Sequence, residues 1–105
     1  MPILETVVCQ TMKGKEARFE RMVKARVELS NRQNGCIKSW YGISNSDEFL
    51  YLIQTAYHDL EQFHVVKKLI EDTLDAKDGG LESCLSGPPL LGLFEIGDNA
   101  LDIAK

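Results

Sequence analysis

The sequence predicts an α+β fold of the ferredoxin-like type, β-α-β-β-α-β, in which four antiparallel strands carry two helices on one face. Three observations predict it. The stretch from Gly35 to Tyr57, GCIKSWYGISNSDEFLYLIQTAY, reads as two strands folded back on each other about Ser44-Asn45-Ser46-Asp47, whose short polar side chains bond nearby backbone. A strand followed by a helix precedes this hairpin, and a helix followed by a strand comes after it. Finally, the second arm, Phe49 to Ala56, is apolar on both faces: Phe49, Tyr51 and Ile53 project one way, Leu50, Leu52 and Ala56 the other. One helical layer covers only one of these sets. The other set is expected to meet a second sheet, so that two copies close face to face as a homodimeric barrel.

Taken in order, Ile3 to Thr11 is rich in β-branched residues and ends at Lys13-Gly14, the pattern of a strand and a turn. A helix is expected from Lys15 to Arg32, because Phe19, Met22, Val23 and Val27 form one apolar stripe with Ala25 and Leu29 beside it. Asn34-Gly35 closes it, with Gly35 suited to a left-handed cap. In the first arm of the hairpin Ile37, Tyr41 and Ile43 share one face, and Cys36, Trp40 and Gly42 the other. A second helix opens at His58-Asp59, where Asp59 and Gln62 have the spacing of an N-cap and its partner. Its expected buried stripe is Leu60, Phe63, Val66, Leu69, Ile70 and Leu74, fading at Asp78-Gly79-Gly80. A helical turn, Leu81 to Leu85, then Gly87-Pro88-Pro89, lead to the last strand, Leu90 to Ile96. The tail, 97 to 105, is mixed; its Leu101 and Ile103 have the spacing to reach across a partner.

The 105 residues suffice for one domain with one core. Twelve basic and 16 acidic residues, intermixed, give a net charge of -4 and no basic patch, which disfavours nucleic acid and anionic membrane as partners. The first ten residues lack a cationic stretch followed by a long apolar run, so a cytoplasmic protein is expected. Cys9, Cys36 and Cys84 are odd in number, without CxxC spacing, and read as small buried apolar residues rather than metal ligands. No GxGxxG, P-loop, GxSxG or HExxH motif occurs. His58 and His64 lack the i,i+4 spacing of two ligands on one helix face, so no metal is expected.

A few residues remain as candidates for chemistry. His64, beside Phe63 and off the centre of the stripe, has the side chain to serve as a base or proton shuttle, or it is a plain edge histidine. Gln54 is the only polar side chain of FLYLIQTA apart from Thr55, and it either bonds backbone across the sheet or turns its amide into a cavity. Trp40, Tyr51, Tyr57 and Phe63 are the aromatic residues placed to line a pocket, or else to fill the core.

The order of first strand, Lys13-Gly14, long helix, Asn34-Gly35-Cys36, hairpin, Tyr57, Phe63 within the next helix, and Gly87-Pro88-Pro89 before the last strand resembles the antibiotic biosynthesis monooxygenase family of dimeric α/β-barrel proteins. The resemblance covers nearly the whole chain. It implies a homodimer with a small-molecule cavity between sheet and helices, and an activity such as cofactor-independent oxygenation of phenols and quinols, heme degradation, or isomerisation of a small carbonyl metabolite. Where the heme-degrading branch carries its key Asn, Trp and His, this chain has Val7, Val66 and Ala76; no heme and no other cofactor is therefore expected. Where the family often has Trp at the end of the third strand, Tyr57 supplies an aromatic ring with a hydroxyl. On the oxygenase reading, Gln54 and Tyr57 would hold a phenolate-like intermediate while His64 moves a proton, with Trp40, Tyr51 and Phe63 against the substrate. The alternative is a non-catalytic dimeric ligand-binding or stress-responsive barrel.

Overall fold

Strands β1 (Ile3–Gln10), β2 (Cys36–Ile43), β3 (Leu50–Tyr57) and β4 (Leu90–Glu95) form one antiparallel sheet in the order β2-β3-β1-β4, and helices α1 (Glu16–Asn31) and α2 (Leu60–Ile70) pack on one side of it. This is a computed structural model, and it describes residues 1–101; Asp102 and Ile103 of the tail lie outside the described residues. The register follows the apolar alternation. Val7 stands opposite Ile53 and Leu91, and Cys9 opposite Tyr51, so one phase of the sheet faces the helices throughout. Helix α1 supplies the expected stripe, with Phe19 and Val23 fully buried and Met22 nearly so.

The core divides in two. At one end Phe19, Met22 and Val23 pack with Cys9, Tyr51, Cys84 and Leu85, and the Phe19 ring meets the Tyr51 ring edge-on at 4.8 Å. At the other end Tyr57, Val66 and Ile70 pack with Leu29 and Phe63. All three cysteines are free and buried, and burial pushes the Cys9 and Cys36 thiols up to about 11, so they stay protonated.

Several local expectations are corrected. The first arm of the hairpin carries a bulge at Ile37: Cys36 pairs with Tyr57 and Lys38 with Ala56, so Cys36 turns to the helix face beside Ser39 and Tyr41, while Ile37 points outward. Asn31 holds this irregular segment, donating to Ser39 O at 3.0 Å and accepting from Ser39 N at 2.8 Å. Gly35 is not a left-handed cap, because α1 ends with Arg32 in ordinary helical conformation and Gly35 has no positive φ. Its reason is proximity: a Cβ there would lie 2.8 Å from the Cβ of Gln62 and collide with its amide oxygen. Asp59 does cap α2, accepting from Gln62 N at 2.8 Å, but Leu60, the first residue of the helix, is about half exposed and not part of the buried stripe. Beyond Ile70 the helix widens into a π-helical turn, Glu71–Asp75, resumes for Ala76–Asp78 and stops at Gly79, whose φ of 83° makes it the left-handed cap.

Candidate functional site

Between the two core clusters the helices stand away from the sheet and leave a cavity of about 380 Å³. Its floor is the helix-facing phase of the sheet, including Glu5, Val7, Ser39, Thr55 and Tyr57; its walls are α1 through Arg26 and Ser30, α2 through Lys67 and Ile70, and the segment after the π turn. Two charged clusters face this space.

The first joins three elements. Tyr57 at the end of β3 donates its hydroxyl hydrogen to Glu5 Oε1 at 2.9 Å, and Lys67 Nζ lies 2.9 Å from Glu5 Oε2. The Glu5 side chain is 14% exposed and that of Lys67 39%, so the pair sits at the cavity wall rather than deep in the core. Burial first, and the neighbouring Glu5 charge second, push the Tyr57 hydroxyl far above the ordinary phenol range. Tyr57 is thus a fixed hydrogen-bond donor, not a base. The Phe63 ring backs it edge-on at 5.3 Å.

The second cluster is structural. Arg26 donates from Nε and Nη2 to Asp75 Oδ1 (3.2 and 2.5 Å), from Nη2 and Nη1 to the two oxygens of Asp78 (2.8 and 3.0 Å), and from Nη1 to Met22 O at 2.9 Å. Guanidinium has five N–H donors, and these five bonds use all of them. Arg26 therefore has nothing left to offer a ligand. It ties α1 to the end of the second helical segment, and the π turn between Ile70 and Ala76 gives that segment its path to Arg26.

The residues singled out in the sequence are not gathered in one place. Tyr57 lines the cavity. Gln54 points to the opposite face of the sheet, where it neither bonds backbone nor enters a cavity: its Oε1 accepts from Trp40 Nε1 at 3.1 Å and its Nε2 donates to Thr6 Oγ1 at 3.3 Å. Trp40 is on that same outer face. His64 is exposed on α2, with its ring edge-on to Phe63 at 5.1 Å, and it does not line the cavity. Tyr51 is core, 3% exposed, and Phe63 stands behind Tyr57 rather than at the cavity surface. Glu5, Lys67 and Arg26, which do face the cavity, were not singled out. A signal for them existed: Glu5 falls in the buried phase of Ile3, Val7 and Cys9, and Arg26 falls inside the stripe of Met22, Val23 and Val27. A charge on a buried phase needs a partner. Among the described residues no cluster of His, Cys, Asp and Glu is arranged to hold a metal ion, and no helix is long and apolar enough to cross a membrane.

Comparison with known proteins gives no matching family model and no matching curated protein. Solved structures do match. SnoaB from Streptomyces nogalater, a cofactor-independent oxygenase, superposes with a TM-score of 0.76 at 16% identity over 90% of this chain and 92% of its own. Proteins named as candidate antibiotic biosynthesis monooxygenases from Deinococcus radiodurans (TM-score 0.77, 14% identity, 91% and 93% covered) and Nitrosomonas europaea (0.74, 15%, 89% and 88%) match over similar lengths. At such identities the likeness speaks to architecture, and it agrees with the order of elements and the sheet topology: the chain has the fold of the antibiotic biosynthesis monooxygenase proteins.

Proposed function

We propose that this protein is a cofactor-independent monooxygenase of a small aromatic phenol or quinol, acting as a cytoplasmic homodimer. The observation that carries the reading is a cavity with an ion pair and a fixed phenol donor, Lys67–Glu5–Tyr57, on one wall and apolar side chains such as Val7, Ile53 and Ile70 on others. Its volume of about 380 Å³ has room for two or three fused rings. Such a substrate supplies its own electrons. Loss of a proton leaves an electron-rich oxyanion; the conjugated carbon bonds to O2; the resulting hydroperoxide loses water as its O–O bond breaks and a C–H proton leaves, and a quinone carbonyl remains. One oxygen atom enters the product and the other leaves as water, so no external reductant is needed. The protein's part is to exclude bulk water, hold the ring and stabilise the anion in a low-dielectric space. Three free, buried thiols suit a reducing compartment.

Oxygen uptake on addition of anthrone or a naphthohydroquinone, in the presence of a metal chelator and with quinone formed in equal amount, is the expected result. Uptake no faster than in buffer across such a panel would remove the oxygenase reading. The second reading, a non-catalytic ligand-binding barrel, is favoured by one observation: both histidines lie outside the cavity lining. That reading predicts binding of the same aromatics without turnover.

A further inference from the structure

We infer that the Glu5–Lys67 pair is a proton-and-charge exchange site for a neutral ligand bearing an acidic hydroxyl, with Glu5 taking the proton, Lys67 moving onto the oxyanion, and Tyr57 positioning Glu5. The inference rests on the oxygenase reading for where the reaction occurs, and deepens it by assigning the groups that act.

The geometry leaves the required places open. The Glu5 carboxylate has about four acceptor sites; Tyr57 and Lys67 use one each. Lys67 has three N–H donors, of which the ion pair takes one. A hydroxyl entering from the cavity therefore finds an acceptor on Glu5 and a cation beside it. Its O–H bond breaks with the electron pair left on the ligand oxygen, and a new O–H bond forms on Glu5. Nothing is oxidised in this step. Before it the site holds Glu5⁻, Lys67⁺ and a neutral ligand; after it, neutral Glu5, Lys67⁺ and the ligand anion. One ion pair replaces another, so no isolated charge appears in the cavity.

The same arrangement discriminates among ligands. A carboxylate ligand meets Glu5 of like charge, and Arg26, the other cation of the lining, has no free donor with which to compensate. The titratable groups turned toward Glu5 or the cavity are Cys9 from β1, Tyr57 from β3, Lys67 from α2, Cys36 from β2, Arg26 from α1, and Asp75 and Glu82 from the segment beyond α2. Tyr57, Cys9 and Cys36 are held protonated, Arg26 and Asp75 satisfy one another, and Glu82 is exposed at the rim, so Glu5 and Lys67 are the paired groups placed to exchange a proton and a partner.

The test uses 7-hydroxycoumarin, whose neutral and anionic forms differ in absorption, bound to the full chain. Removing each member of the pair must move the bound probe's ionisation in opposite directions. Glu5→Gln leaves Lys67 unopposed and lowers the probe's pKa; Lys67→Met leaves Glu5 unopposed and raises it, each changing the anion-to-phenol ratio about tenfold or more at a fixed pH. Lys67→Arg restores the charge and with it most of the wild-type ratio. Should Lys67→Met not fold, the near-isosteric Glu5→Gln still carries its sign. No binding of the probe, no shift, or shifts of the same sign in both variants would overturn the assignment, even if the protein consumes oxygen. Opposite shifts without oxygen uptake on any quinol would uphold the site and remove the oxygenase reading. Where turnover is found, Glu5→Gln should lower kcat about 100-fold or more, the scale of a positioned acid or base; an unchanged kcat would overturn the catalytic role of Glu5.

Discussion

Arg26 occupies a position on α1 where the stripe calls for an apolar side chain, and it is only 7% exposed. It is tolerated because two carboxylates and a backbone carbonyl take all its hydrogens. Burial draws its pKa down, but the hydrogen bonds to Asp78 and Asp75 more than offset this and the net shift is upward. The converse holds at Asp78, whose carboxyl is held below its ordinary value of 3.8 chiefly by the hydrogen bonds from Arg26. A group with a lowered pKa in the folded state stabilises fully above its unfolded pKa, and that contribution is lost as pH falls through the folded one. Asp78→Asn is therefore expected to destabilise the protein by about 2 kcal/mol at pH 7, the scale of hydrogen bonds to a charged group. The difference from wild type should shrink below about pH 4, where the unfolded carboxylate takes up its proton. Urea unfolding of both proteins across that range checks it. An equal difference at pH 3 and pH 7 would detach Asp78 from this role.

At the scale of elements, most boundaries were legible and the irregularities were not. The helix expected from Lys15 to Arg32 is α1, Glu16–Asn31, with those two residues as its caps, and the hairpin arms fall within a residue of expectation. Both depend on local periodicity, which the chain displays plainly. The bulge at Ile37, the π turn at Glu71–Asp75 and the reason for Gly35 depend instead on what another element places nearby. Candidate site residues failed for the same cause. Tyr57 could be placed from its strand, but alternation alone does not say which phase of β3 faces the helices, and Gln54 belongs to the other phase. Glu5 and Lys67 are far apart in sequence and meet only because α2 folds back over the helix-covered face of the sheet. Gly35 yields a direct check of the packing: Gly35→Ala should cost roughly 1–3 kcal/mol, since the added methyl meets the Gln62 Cβ and not merely the movable end of its side chain. Gly87→Ala, where nothing lies within 4 Å, is the matched control and should be near neutral in the same thermal or urea unfolding. Equal effects at both positions would show that Gly35 serves backbone freedom rather than the approach of α2.

For the whole molecule, the decisive feature is the face of the sheet that no helix covers. Leu52 on β3 is 37% exposed there, and on β4 Leu90 is 73% and Phe94 54% exposed. The Phe94 ring lies back over Gly92, where a Cβ would come within 2.6 Å of it, so the aromatic surface is spread along the sheet instead of standing free. Trp40, Gln54 and Thr6 of this face bond one another across three strands, so covering these three costs little. Monomers seldom leave so continuous an apolar surface in water. A second copy related by a two-fold axis would cover it with itself, each patch meeting its own equivalent. A standard interface of about 1,600 Å² at about 25 cal/mol per Å² would correspond to some 40 kcal/mol before the costs of association, which would remove much of it, and a stable dimer is the expected outcome. Light scattering at micromolar concentration should then give about twice the chain mass of 11.8 kDa. Leu52→Glu, which places a charge on an inner strand of that face, should shift the mass toward the monomer while the helix-side cavity keeps its affinity for an aromatic probe. A monodisperse wild-type monomer would mean that some other molecule, or nothing, covers this face, and the barrel would have to be given up.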